Sequence, residues 1–235
     1  IQSLSLEHDL PDDPRLRFTT HYTPQDIVGG DYYAIHQIDP DRYGFVLADV
    51  MGHGVAAALH TMHLNALWTR HRELTADPAA FAAAVSNELS RIVKDESFAT
   101  AICGRIDART GEVRLASAGG PPVVIARRDG SVEQIEIPGL PFGMMEEASY
   151  KTTTVELHPG DCLLLCSDGA FEIHNARDEM LGVEGLVQIL KAHGYPAAPL
   201  PIRAVEDELL RYSNAIRLPD DVTLIEARYT GPTKT

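Results

Sequence analysis

Apolar side chains fall at alternate positions or in short runs from Leu16 to Tyr22, Tyr32 to Gln37 and Tyr43 to Asp49, which predicts three opening strands. Asp39-Pro40-Asp41-Arg42 has turn chemistry, so the last two strands form a hairpin. Gly29-Gly30-Asp31 lies at its start and Asp49 at its end, which sets the two aspartates side by side at one edge. After Gly54 the pattern becomes helical, with apolar residues at Ala57, Leu59, Met62, Leu64, Leu67 and Trp68. Asp77 as N-cap and Pro78 in the first turn start a second helix, which carries Phe81, Val85, Leu89 and Ile92 on one face.

Strand patterning returns at Ala99. Turns at Asp107 to Gly111 and at Arg128-Asp129-Gly130 divide segments that end near Ile137. Thr152 to Leu157 and Cys162 to Cys166 add strands around the turn His158-Pro159-Gly160-Asp161. Helices over Val183 to His193 and Ile202 to Tyr212 precede a last strand, Val222 to Arg228. Strands, two helices, many strands, helices and a final strand suit antiparallel sheets covered by segregated helices, an α+β layered sandwich, better than a parallel βαβ sheet. The Pro-rich stretch Tyr195 to Pro201 reads as a surface loop within one domain.

Composition narrows the function. A formal net charge of −14 argues against unassisted binding to nucleic acid. The three cysteines include Cys162 and Cys166, which a strand would separate by roughly 13 Å, too far for a disulfide. Reduced, buried thiols and a cytoplasmic setting follow. No signal peptide and no long apolar run is visible, so a membrane is not an expected partner.

Four acidic sites share one context. Asp31 follows two glycines, Asp49 ends a strand before Val50-Met51-Gly52-His53-Gly54, Asp168 sits in Ser-Asp-Gly, and Asp220-Asp221 opens the last strand. Carboxylates at strand ends can converge on one rim of a sheet, and adjacent glycines let backbone carbonyls approach a hard cation. Oxygen-only ligands point to Mg²⁺ or Mn²⁺ rather than zinc. Taken singly, each motif is also an ordinary turn sequence.

Six segments occur in order: Val28-Gly29-Gly30-Asp31-Tyr32-Tyr33, Ala48-Asp49-Val50-Met51-Gly52-His53-Gly54-Val55-Ala56-Ala57, Ala118-Gly119-Gly120-Pro121-Pro122, Gly139-Leu140-Pro141-Phe142-Gly143, Ser167-Asp168-Gly169 and Asp220-Asp221-Val222-Thr223-Leu224. Together they resemble the metal-dependent protein phosphatase superfamily of type 2C (PPM), in its bacterial SpoIIE/RsbU-like branch. The resemblance implies a four-layer αββα sandwich with a binuclear Mn²⁺ or Mg²⁺ site at one edge of two antiparallel sheets. In that site Asp49 bridges both metals and the Val50 carbonyl completes one coordination sphere. Asp168 and Asp220 hold the second metal, with Asp221 the less certain half of its pair, and Asp31 binds the first through water. The implied reaction is hydrolysis of phosphoserine or phosphothreonine by activated water, which needs no cysteine or serine nucleophile.

His53, in its glycine-flanked loop, is a candidate general acid or a residue that orients the Asp49 segment. His60 and His63 read as helix-face residues, since no third zinc ligand motif is near. This chain has Ala34, Met51 and Gly120 where relatives commonly have Asp, Ser and His; loss of an outer carboxylate at Ala34 would weaken a metal or alter its identity. No arginine is evident for gripping phosphate, since Arg42, Arg105 and Arg127 read equally well as surface residues.

The resemblance also implies partners: a phosphorylated anti-sigma-factor antagonist as substrate, and an upstream sensor or response-regulator domain in the same chain. Residues 1–12 read as the end of a truncated linker helix, 13–230 as the phosphatase domain and 231–235 as a tail. Apolar surface uncovered by truncation would favour a homodimer. Two other readings remain open: a degenerate phosphatase-fold adaptor that binds without catalysis, and a diguanylate cyclase-like enzyme suggested by Gly29-Gly30-Asp31-Tyr32-Tyr33.

Overall fold

The computed structural model describes residues 10–52, 54–92 and 98–232. Its strands are β1 (Asp12–Asp13), β2 (Leu16–Thr23), β3 (Asp31–Gln37), β4 (Arg42–Val50), β5 (Ala99–Asp107), β6 (Glu112–Ala118), β7 (Val123–Ala126), β8 (Val132–Ile135), β9 (Thr153–Glu156), β10 (Cys162–Cys166) and β11 (Val222–Tyr229). The α-helices among the described residues are α1 (Val55–His71), α2 (Pro78–Ile92), α3 (Gly182–Ala192) and α4 (Ile202–Ser213). One sheet has the order β1-β2-β11-β10-β7-β8 and the other β3-β4-β5-β6-β9, and the strand pairs in both are antiparallel.

Strand periodicity builds the four layers. In β4, Tyr43, Phe45 and Leu47 face the second sheet, while Val46, Ala48 and Val50 face α1 and α2. In β10, Leu163 and Leu165 face between the sheets, and Cys162, Leu164 and Cys166 pack under α3 and α4. Both strands are buried on two faces, which explains their nearly unbroken apolar sequences. Ala34, Ala48, Ala99, Ala101, Ala116 and Ala118 make the helix-facing side of the β3–β9 sheet small, which lets Phe81, Val85, Leu89 and Trp68 sit close to it. The result is the expected αββα sandwich.

Asp77 caps α2 as expected, its carboxylate accepting from the Ala79 amide at 3.2 Å. The three cysteines are free and buried. Several expectations change. In α1, Leu59 and Met62 lie in solvent, because only Ala57, Leu64, Leu67 and Trp68 reach the core. Arg105 is buried rather than superficial, paired with Glu112 at 2.7 Å. Asp12, expected to end a linker helix, lies in β1, and Gly231, expected in the tail, is buried. Residues 1–9, the remainder of that expected helix, lie outside the described residues.

Candidate active site

Period-two geometry decides where the acids point. In β3 and β4, Ile35, Phe45 and Leu47 face between the sheets, so Asp31 and Asp49 at the strand ends point the same way. The register places them directly opposite each other. On the other sheet Ile225, Ala227 and Tyr229 face the same gap, which puts Thr223 there. The Thr223 hydroxyl donates to Asp31 Oδ2 at 2.5 Å, linking strands 192 residues apart.

Like charges directly opposite in a sheet repel. Asp31 is 1% exposed. Its carboxyl is pushed well above the ordinary range by burial and then by Asp49, against the opposing hydrogen bonds of Thr223 and Ser167. The Asp49 carboxyl is pushed up to about 8, first by burial and then by the charges of Asp168, Asp220, Asp221 and Glu172. Burial, followed by Glu172, also raises Asp168. The structure thus brings Asp31, Asp49, Asp168, Asp220 and Asp221 into one electrostatic neighbourhood.

Gly30 gives that neighbourhood an oxygen-lined cradle. A Cβ there would stand 2.9 Å from the Val50 carbonyl oxygen, 3.2 Å from Asp49 Oδ1 and 3.3 Å from the Gly52 carbonyl oxygen. Only glycine leaves these oxygens space, and all three are donors suited to a hard divalent cation. Among the described residues no three carboxylate, imidazole or thiolate groups already form a metal cage. The cradle's own oxygens are one carboxylate, from Asp49, and two backbone carbonyls, of Val50 and Gly52.

Asp221 is otherwise engaged. Its Oδ1 accepts from the Gln25 amide at 2.7 Å, and its Oδ2 from the Gly30 amide at 2.6 Å. It is buried and anchors the loop that presents Asp31, whereas Asp220 is exposed and accepts from the Asp221 amide at 2.8 Å. Replacing Asp221 by alanine should leave both amides without their acceptor. The expected cost is about 2–3 kcal/mol, measured by urea unfolding, together with weaker Mg²⁺ binding.

Sequence reasoning missed three contributors. Thr223 and Ser167 lie inside quoted motifs, yet nothing in those motifs showed that both bear on Asp31. Ser167 also ties the last strand in place, its hydroxyl accepting from the Thr223 amide at 2.9 Å. Glu172 follows Asp168 by one helical turn, a spacing that was available as a signal. His53 lies outside the described residues. His60 and His63 have ring centroids 5.7 Å apart, with no third ligand among the described residues. Arg42 and Arg105 lie toward the opposite end of their strands from Asp49, so neither reaches this edge. Gly120 packs against the Ala101 backbone, which leaves no space for a side chain.

The sandwich, with its acids gathered at one edge, has the PP2C fold. The sequence model of the family described as Stage II sporulation protein E (SpoIIE) matches residues 39–230, and the chain belongs to that family. It is 28% identical to the phosphoserine phosphatase RsbP of Bacillus subtilis over 73% of this chain and 43% of that protein, so it spans less than half of that relative. It is 25% identical to the phosphoserine phosphatase RsbU of Bacillus subtilis, over 97% of this chain and 68% of the other. The SiaA-PP2C domain of Pseudomonas aeruginosa superposes with a TM-score of 0.78 at 24% identity, covering 90% of this chain and 85% of that one. Gly29-Gly30-Asp31-Tyr32-Tyr33 accordingly leads into an outer strand of a phosphatase-type sheet, not a cyclase hairpin. No described helix is long and apolar enough to cross a membrane.

Proposed function

We propose that this chain is a Mg²⁺- or Mn²⁺-dependent serine/threonine phosphoprotein phosphatase, with the αββα sandwich as its catalytic domain. The observation that carries this reading is the pairing of Asp31 with Asp49, directed into the gap between the sheets and pressed by further carboxylates. Such crowding favours divalent cations as counter-charge. Asp49, the Val50 carbonyl, Asp168 and Asp220 would hold two ions, and Asp31 would join through water. Bound there, the ions would lower the pKa of water and neutralise phosphate charge.

The chain's own residues position this centre. Thr223 and Ser167 fix Asp31, and Asp221 fixes the Gly30 loop. The three cysteines are buried, and no thiol nucleophile is required. RsbU and RsbP bear the name phosphoserine phosphatase. Their likeness supports a phosphorylated protein as substrate, and we propose an anti-sigma-factor antagonist as that protein. We further propose that this domain is the output of a signalling protein with an upstream sensor or response-regulator domain.

Metal removal tests the reading. Phosphate release from a phosphoserine peptide is expected to vanish after EDTA treatment and return on titration with Mn²⁺ or Mg²⁺. Full activity in the stripped protein would refute metal dependence, and inertness at every metal concentration would favour the adaptor.

A further inference from the structure

Two isoleucines stand almost wholly in water: Ile27 is 92% exposed and Ile216 is 98% exposed. Neither contributes to a core cluster. Both line an open cleft of about 470 Å³ between the segment leaving β2 and the segment following α4. Ile216 also borders a second depression of about 560 Å³, so it forms a ridge between the two.

One wall of the cleft, at Gln25, touches Asp221 beside the acidic edge. Ile27 lies four residues before Asp31, and Ile216 lies four before Asp220. The Gln25 amide donates to Asp221 Oδ1 at 2.7 Å, and the Gln25 side chain donates to the Pro219 carbonyl at 2.5 Å. The contacts that Gln25 makes with Asp221 and Pro219 therefore also fix this wall of the cleft. Its charge is net negative, with Asp26, Glu206 and Asp207 against Arg217. The Glu206 carboxylate is held at the wall by the Thr23 hydroxyl at 2.5 Å and by His21 at 2.9 Å.

We infer that this cleft receives the stretch of phosphoprotein substrate flanking the phosphorylated residue, and that it selects segments carrying an apolar side chain together with Lys or Arg. The inference rests on the phosphatase reading and adds a substrate preference to it. The phosphate is drawn to the cation-binding edge. The flanking basic group answers the carboxylates, and the apolar group covers Ile27 and Ile216. A flank rich in Asp or Glu meets like charge and is rejected.

The test uses two phosphoserine peptides of equal length, one with Leu and Arg in its flanks and one with Ser and Asp there, and p-nitrophenyl phosphate as a flank-free substrate. The unaltered protein should prefer the Leu/Arg peptide by about tenfold or more in kcat/KM. The double variant Ile27→Ser/Ile216→Ser should lose that preference through KM, with kcat and p-nitrophenyl phosphate turnover unchanged. Asp207→Lys should abolish the advantage of Arg. Both isoleucines are exposed, so an unchanged melting temperature should accompany the loss.

Equal rates on the two peptides, or a double variant with full preference, would overturn the inference. So would an equal fall on p-nitrophenyl phosphate, which would make these residues supports of the centre. If the unaltered protein hydrolyses none of the three, the phosphatase reading fails separately. Fluorescence anisotropy with the labelled Leu/Arg peptide then still decides the cleft, by whether the double variant binds it about tenfold more weakly or equally well.

Discussion

Asparagine in place of Asp49 is expected to cut phosphate release about a thousandfold, corresponding to roughly 4 kcal/mol of lost transition-state stabilisation. The amide nearly matches the carboxylate in shape and cannot supply its charge to cations. The same change should make the metal-free domain more stable at pH 8. Burial and the surrounding Asp168, Asp220, Asp221 and Glu172 oppose charge at this position, and asparagine carries none. A crippled enzyme with a higher metal-free melting temperature separates a functional acid from a structural one. Lower stability together with lower activity would show that Asp49 holds the fold.

Stability of the metal-free domain should also fall as pH rises. An unfolded Asp49 releases its proton near the ordinary value of 3.8, while the folded one holds it up to about 8. Between these values the folded state binds more protons than the unfolded state. Each step upward in pH therefore favours unfolding, by at most about 1.4 kcal/mol per pH unit for one proton. The raised Asp31 adds in the same direction. The Asp49 share of the loss levels off above about 8, where that group is ionised in both states. Cations binding the ionised carboxylates should reverse it. Thermal melts from pH 5.5 to 8.5 are therefore expected to show a larger Mg²⁺-induced gain at the alkaline end. A gain independent of pH would remove Asp49 and Asp31 from the binding site.

The opposition of Asp31 and Asp49 was legible because a turn at Asp39 to Arg42 and two period-two strands fix the hairpin register. The same periodicity placed Leu163 and Leu165 on one side of β10 and the cysteines on the other. Asp168 and Asp220 were not legible this way. Strand-end context marked them, and the ordered motif series strengthened them, since a single Ser-Asp-Gly or Asp-Asp reads equally well as a turn.

Chain pattern by itself determined the element order, the α+β class and the membership of the acidic residues in one motif set. Tertiary structure alone decided where each acid sits and what it contacts. Asp220 and Asp221 are adjacent and chemically identical, yet one is exposed at the edge and the other is buried on the Gly30 and Gln25 amides. The contact between Thr223 and Asp31 joins the two sheets, and the exposure of Ile27 and Ile216 depends on how loops leave them. Periodicity reports which side of an element is buried. The partners that meet across a gap are set by the packing of one sheet on another.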